Sequence, residues 1–229
     1  MSFYDDWLDA IKNSDDDIDY LEAFLKKKDY TLRILHSGNN EQVEVFCRIL
    51  LNYDFKKIID LIDDNYISEL NCSKVIQFSN LENGTYNLVR VLYGHNEGLS
   101  YPEIGRALVG SEETNAATKY GENHSKLGRD FELVTITDSK PSIVKNTVFG
   151  ECFAFLERDQ QIKLLKVLGL RDPVIKNLIA NSKKGIVYYM DECNCLSEST
   201  RIRRRSNVKK LFELIFEGNT DSFINNIMW

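Results

Sequence analysis

The chain has 229 residues, 43% hydrophobic and 28% charged, which is enough apolar material for one large domain or two to three small ones with real cores. That balance excludes disordered and fibrous classes, and no apolar run approaches the roughly 20 residues of a membrane helix. The formal net charge of -6 argues against a non-specific nucleic-acid coat, whose affinity comes from neutralising phosphates. The charge is unevenly spread. Asp5, Asp6, Asp9, Asp15, Asp16, Asp17 and Asp19 hold much of the excess acid, while Arg201, Arg203, Arg204, Arg205, Lys209 and Lys210 form the one dense basic cluster.

The opening Met-Ser-Phe-Tyr-Asp-Asp-Trp is acidic where a signal peptide would be basic, so the reading is a soluble cytoplasmic protein without a membrane partner. Tyr4 to Ile11 and Ile18 to Lys27 read as amphipathic helices around the acidic loop Asn13 to Asp17. Glu41 to Leu51 and Phe55 to Asp63 form another helical pair around the turn Asn52-Tyr-Asp54. The stretch from His36-Ser-Gly38 to Leu50 fits a degenerate helix-turn-helix or a helical cap; its acidic exposed face favours a cap or a dimerisation surface. Residues 1–78 are therefore expected to be an N-terminal helical cap or dimerisation region.

Residues 79–150 carry the most informative pattern. Ser100 and Glu103 can cap each other's amides, and Pro102 suits a first helical turn. Gly110 stops that helix. The next segment places Ala117, Tyr120, His124, Leu127 and Phe131 on one apolar face, where His124 reads as a satisfied buried histidine. Asn115, Thr118, Lys119, Glu122, Asn123, Lys126 and Arg129 fall largely on the other faces. Asn can be bidentate to adenine, and Lys or Arg can reach guanine or phosphate, so this face suits a DNA major groove. Leu133 to Thr137, the turn Asp138-Ser-Lys-Pro141 and the extended Ser142 to Val148 read as a β-hairpin wing. The whole has the grammar of a winged helix-turn-helix, with a helical hairpin packed in a core as the plain alternative.

Residues 151–229 read as a second helix-turn-helix-like region. Ser142 to Gly169 and Asp172 to Asn181 look helical, so Ser142 to Val148 carries two readings, and Gly185 to Met190 fits a strand or a helix. Ser197 or Ser199 supplies a cap for a helix whose seam is Val208, Leu211, Phe212 and Ile215, ending at Gly218. Its arginines crowd the first two turns. Cations there oppose the helix dipole unless an anion meets them, and a phosphate or a guanine edge is such a group. The plain alternative is a solvated helix end paired with the acidic N-terminal segment. The chain closes at Ile227-Met-Trp229 after a new helix has begun, as a truncated protein would.

The pattern Leu196-Ser-Glu-Ser-Thr200, Arg204-Arg205, Val208 and Leu211 resembles the second half of a bacterial winged helix-turn-helix module found in specificity regions of type II restriction endonucleases and in related bacterial proteins. The similarity spans roughly residues 80–217, with Ile143 to Ala180 as the linker; Phe212 or Leu211 stands where that pattern often has tryptophan. The resemblance implies sequence-specific DNA binding, with Thr200, Arg201, Arg204 and Arg205 at the matching positions. It does not imply a joined nuclease. Lys209 completes the expected DNA-contacting set.

Other chemistries have thinner support. Asp138-Ser-Lys140 after a strand, with Asp130 and Glu132 nearby, fits the acidic-residue and lysine pattern of a metal-dependent endonuclease, and it is also an ordinary turn before proline. Cys47, Cys72, Cys152, Cys193 and Cys195 lack paired spacing and read as reduced thiols, without a metal site. The expectation is thus a mainly α protein with tandem winged helix-turn-helix elements, short β-hairpin wings and an N-terminal helical cap, needing no cofactor. It would recognise double-stranded DNA as the recognition domain or subunit of a restriction-type system, as a homodimer or with a separate nuclease partner; a bacterial transcriptional regulator is the alternative.

Overall fold

The computed structural model describes residues 17–26, 29–62, 70, 75–110, 114–193 and 195–218, and over these the chain is mainly helical with one three-stranded antiparallel sheet. Four helices come first: α1 (Asp17–Leu25), α2 (Asp29–Ser37), α3 (Asn40–Asn52) and α4 (Phe55–Asp60). The expected helix at Tyr4 to Ile11 lies outside the described residues. Helix α2 was not anticipated; its inward stripe of Thr31, Ile34 and Leu35 is only one turn long. The Gly38 turn joins it to α3, whose start is fixed by reciprocal capping. Gln42 N donates to Asn39 Oδ1 at 2.8 Å, and Asn39 N donates to Gln42 Oε1 at 2.9 Å.

Next come α5 (Tyr86–Leu92), β1 (Leu99–Ser100), α6 (Tyr101–Val109), α7 (Thr114–Asp130), β2 (Val134–Ile136) and β3 (Ile143–Asn146). The sheet order is β1-β3-β2, with Leu99 and Ile136 both opposite Val144 and Val134 opposite Asn146. Val134 and Val144 are fully buried, while Thr135 between them in register faces out, as the two-residue period of a half-covered strand requires. Of the two readings of Ser142 to Val148, the strand holds through Asn146. Thr147 then caps α8 (Val148–Phe155), its Oγ1 accepting from Gly150 N at 2.9 Å.

The last helices are α9 (Arg158–Gly169), α10 (Pro173–Ala180), α11 (Gly185–Glu192) and α12 (Glu198–Ile215), with a short 3-10 turn at Ser182–Lys184. Gly185 to Met190 is therefore helix. No strand follows Asn146 among the described residues, so α11 and α12 carry no wing there. Cys195 is disulfide-bonded, against the expectation of reduced thiols throughout, whereas Cys47, Cys152 and Cys193 are free.

One continuous apolar cluster runs from Leu21 to Phe216 and takes residues from all three expected segments. Edge-to-face ring contacts link α1 to α3 (Phe24 and Phe46, 5.2 Å between centroids) and α3 to α8 (Phe46 and Phe149, 6.2 Å). Inside this core sits a charged contact. Arg171, 2% exposed, donates from Nη2 to Glu132 Oε1 at 3.0 Å, and its guanidinium lies 4.5 Å from the centre of the Phe24 ring. Glu132 Oε2 is 2.7 Å from His36 Nε2 on α2. Burial pushes the Arg171 pKa down, and the Glu132 carboxylate pushes it back up.

Removing one partner of such a pair leaves an uncompensated buried charge. Glu132→Gln should lower the urea-unfolding free energy by about 3 kcal/mol or more. Adding Arg171→Met to that variant should recover much of the loss.

Candidate nucleic-acid interface

Helices α6 and α7 are built to lie close together. The Ser100 amide donates to Glu103 Oε2 at 2.8 Å and the Ser100 hydroxyl donates to the same oxygen, starting α6 as the sequence indicates; these bonds hold the Glu103 carboxyl below its usual range. Gly110 ends the helix with φ 64°, the left-handed conformation that glycine adopts without strain. Two further glycines set the helix separation. A methyl group at Gly105 would overlap the carbonyl of Ala117, and one at Gly121 would overlap the carbonyl of Tyr101, so backbone meets backbone at both points.

Helix α7 buries Ala117, Gly121, His124, Ser125, Leu127 and Gly128. Tyr120, expected on this face, is instead 43% exposed and stacks its ring on His124 with centroids 5.8 Å apart. His124 is fully buried as expected, but it is not satisfied: neither ring nitrogen has a hydrogen-bond partner among the described residues, and burial lowers its pKa. Asn115, Lys119, Lys126 and Arg129 are exposed, and Thr118, Glu122 and Asn123 are half-buried. Within this set Lys126 pairs with Glu122 one turn back, Arg129 lies 3.4 Å from Asp130, and the Thr118 hydroxyl donates to Thr114 O at 2.6 Å. Asn115 and Lys119 are displayed along the first part of the helix, with the half-buried Asn123 just past its middle. Beside it, the β2–β3 turn is tied internally: Ile143 N donates to Thr137 Oγ1 at 2.8 Å and Ser139 Oγ to Pro141 O at 3.0 Å.

Helix α12 engages part of the expected set in contacts within the fold. Ser197 is its cap, with Thr200 N and the Ser197 hydroxyl 3.4 Å apart, and Thr200 Oγ1 accepts from that hydroxyl at 2.9 Å. Arg201 lies 3.5 Å from Asp191 on α11. Arg204 does not leave the core face: it sits four residues before Val208 on the buried seam, and donates to Val75 O at 2.9 Å and Gln77 Oε1 at 3.3 Å. Asn207, which the sequence reading passed over, continues this clamp. Its side chain donates to Phe78 O at 2.7 Å and accepts from Phe78 N at 3.4 Å. An amide three residues after Arg204 and one before Val208 on the same face was the available clue. Arg205 is half-buried, while Arg203, Lys209 and Lys210 are exposed.

The residues of the nuclease alternative are not gathered. Asp138 and Lys140 stand exposed in the hairpin turn, and Glu132 is held by Arg171 and His36. No group of three or more metal-binding side chains occurs among the described residues. No protein-family model, curated protein or solved structure matches the chain.

Three outcomes follow from this geometry. Gly121→Ala should destabilise the protein by about 3 kcal/mol through overpacking against a backbone that cannot move aside. His124 has a folded pKa below its ordinary value near 6.5, so the unfolded chain binds the proton first. The stability it permits is complete above about pH 6.5 and declines as pH falls toward the lowered folded value. The difference in unfolding free energy between the parent and His124→Leu should grow across that window in favour of the variant. Arg204→Ala should cost about 1–3 kcal/mol of folding stability, measured in urea, because Val75 O loses its donor.

Proposed function

We propose that this chain binds double-stranded DNA sequence-specifically, with α7 as the reading helix and the β2–β3 hairpin as a wing beside it. The observation that carries this reading is the order helix, strand, helix, turn, helix, strand, strand from α5 to β3, with β3 between β1 and β2. That order supports a winged helix-turn-helix reading, in which the second helix of the turn enters the major groove. Asn115, Lys119 and Asn123 provide amide and ammonium groups for base edges, and Lys126 and Arg129 provide phosphate contacts. The exposed Arg203, Lys209 and Lys210 on α12 add a second cationic surface, with Arg204 reassigned to holding the fold.

Selection of bound duplexes from a random pool tests the reading. Binding should be specific and salt-dependent, with log K falling by several units per decade of salt. Equal affinity for selected and scrambled duplexes overturns it. Asn123→Ala should cost about 1–3 kcal/mol on the selected duplex and relax preference at one base pair, whereas Lys126→Ala should weaken all sequences alike and lower the salt slope by about one. Plasmid DNA incubated with the protein and Mg²⁺ should stay intact.

A further inference from the structure

A cavity of about 680 Å³ lies between α3 and α8. Its volume is that of a small-molecule site, for which roughly 300–1,000 Å³ is usual. Tyr93, just after α5, and Phe155, at the end of α8, are 54% and 68% exposed and meet edge to face with centroids 4.9 Å apart. Two large aromatic rings paired with each other yet left in solvent form an open apolar rim. Cys47 and Cys152 line the same space, one from each helix.

Glu44 on α3 and Glu151 on α8 line it too, and both raise the pKa of the Cys152 thiol, which places the two carboxylates around one point. Neither forms an ion pair among the described residues. Arg48, one turn after Glu44, is the one cation in the lining, so two carboxylates stand against one guanidinium and the cavity carries a net negative charge. Burial pushes Cys47 up to about 12 and Cys152 above its ordinary value, which favours the neutral thiols as weakly polar lining of the cavity.

We propose that this cavity binds a small organic cation with an aromatic or bulky apolar body, its charge facing Glu44 and Glu151 and its body against Tyr93 and Phe155. Aromatic faces and unpaired carboxylates attract the same ligand class for two separate reasons, the ring quadrupole and direct charge. An anion of equal size would meet both carboxylates at like charge.

Isothermal titration of the full chain with tetraphenylphosphonium and tetraphenylborate separates charge from shape, because the two ions have the same form and opposite sign. The phosphonium should bind saturably and the borate should not. The double variant Glu44→Gln, Glu151→Gln should weaken the phosphonium by about tenfold or more. Phe155→Ala, at an exposed position, should weaken it while lowering the thermal midpoint by no more than the few degrees its ring contact with Tyr93 is worth. Equal binding of both ions, phosphonium affinity untouched by these substitutions, or no saturable heat at about 1 mM phosphonium would each overturn the proposal. None of these measurements involves DNA, so they stand or fall apart from the duplex selection.

Discussion

The buried guanidinium of Arg171 is the constraint around which the described structure is arranged. A charge that is 2% exposed needs a carboxylate, and Glu132 supplies it from the turn that leaves α7. Glu132 holds φ 61°, a conformation that a non-glycine residue adopts rarely and at a cost of order 1–3 kcal/mol. Against that cost the pair spares the interior an uncompensated charge. His36 shares the same carboxylate, so α2, the exit of α7 and the turn before α10 converge on one side chain.

Around that point the chain closes without slack. The aromatic contacts from Phe24 through Phe46 to Phe149 tie the N-terminal helices to α8, and α8 begins one residue after β3. The paired helices α6 and α7 are held by a different device, the absence of side chains at Gly105 and Gly121. Together these leave the first part of α7 free to display polar groups while its last turns are fixed by the core. A surface meant to match another molecule gains from such backing, because its side chains start from a rigid helix and less freedom is lost on contact.

Local patterns were readable from the residues; distant partnerships were not. The reciprocal cap of Ser100 and Glu103, the stop at Gly110, the hairpin after α7 and the α12 seam from Val208 to Ile215 all depend on neighbours within a few positions, and all are present. The Arg171 pair joins residues 39 apart and its histidine lies 96 residues from Glu132, distances at which no spacing rule operates. Arg204 shows the same limit. Its charge suggested an outward side chain, but its place on the seam decided the direction, and the backbone it serves lies 129 residues upstream. Tyr120 failed in the opposite sense: the helical period put it inward, and it lies 43% exposed with its ring stacked on His124.

The clamp of Arg204 and Asn207 on residues 75–78 bears on how the protein is made. Phe78 N and O and Val75 O are backbone groups whose native partners are synthesised 129 residues later, so these bonds cannot form while the ribosome is still building α12. A chain whose middle is completed by its far end cannot lock segment by segment as it emerges. Its assembly is governed by closure of a long loop, which slows folding relative to a bundle of neighbouring helices. Until α12 docks, the groups it covers have no settled partner, and incompletely packed apolar surface of that kind is what makes folding intermediates prone to association.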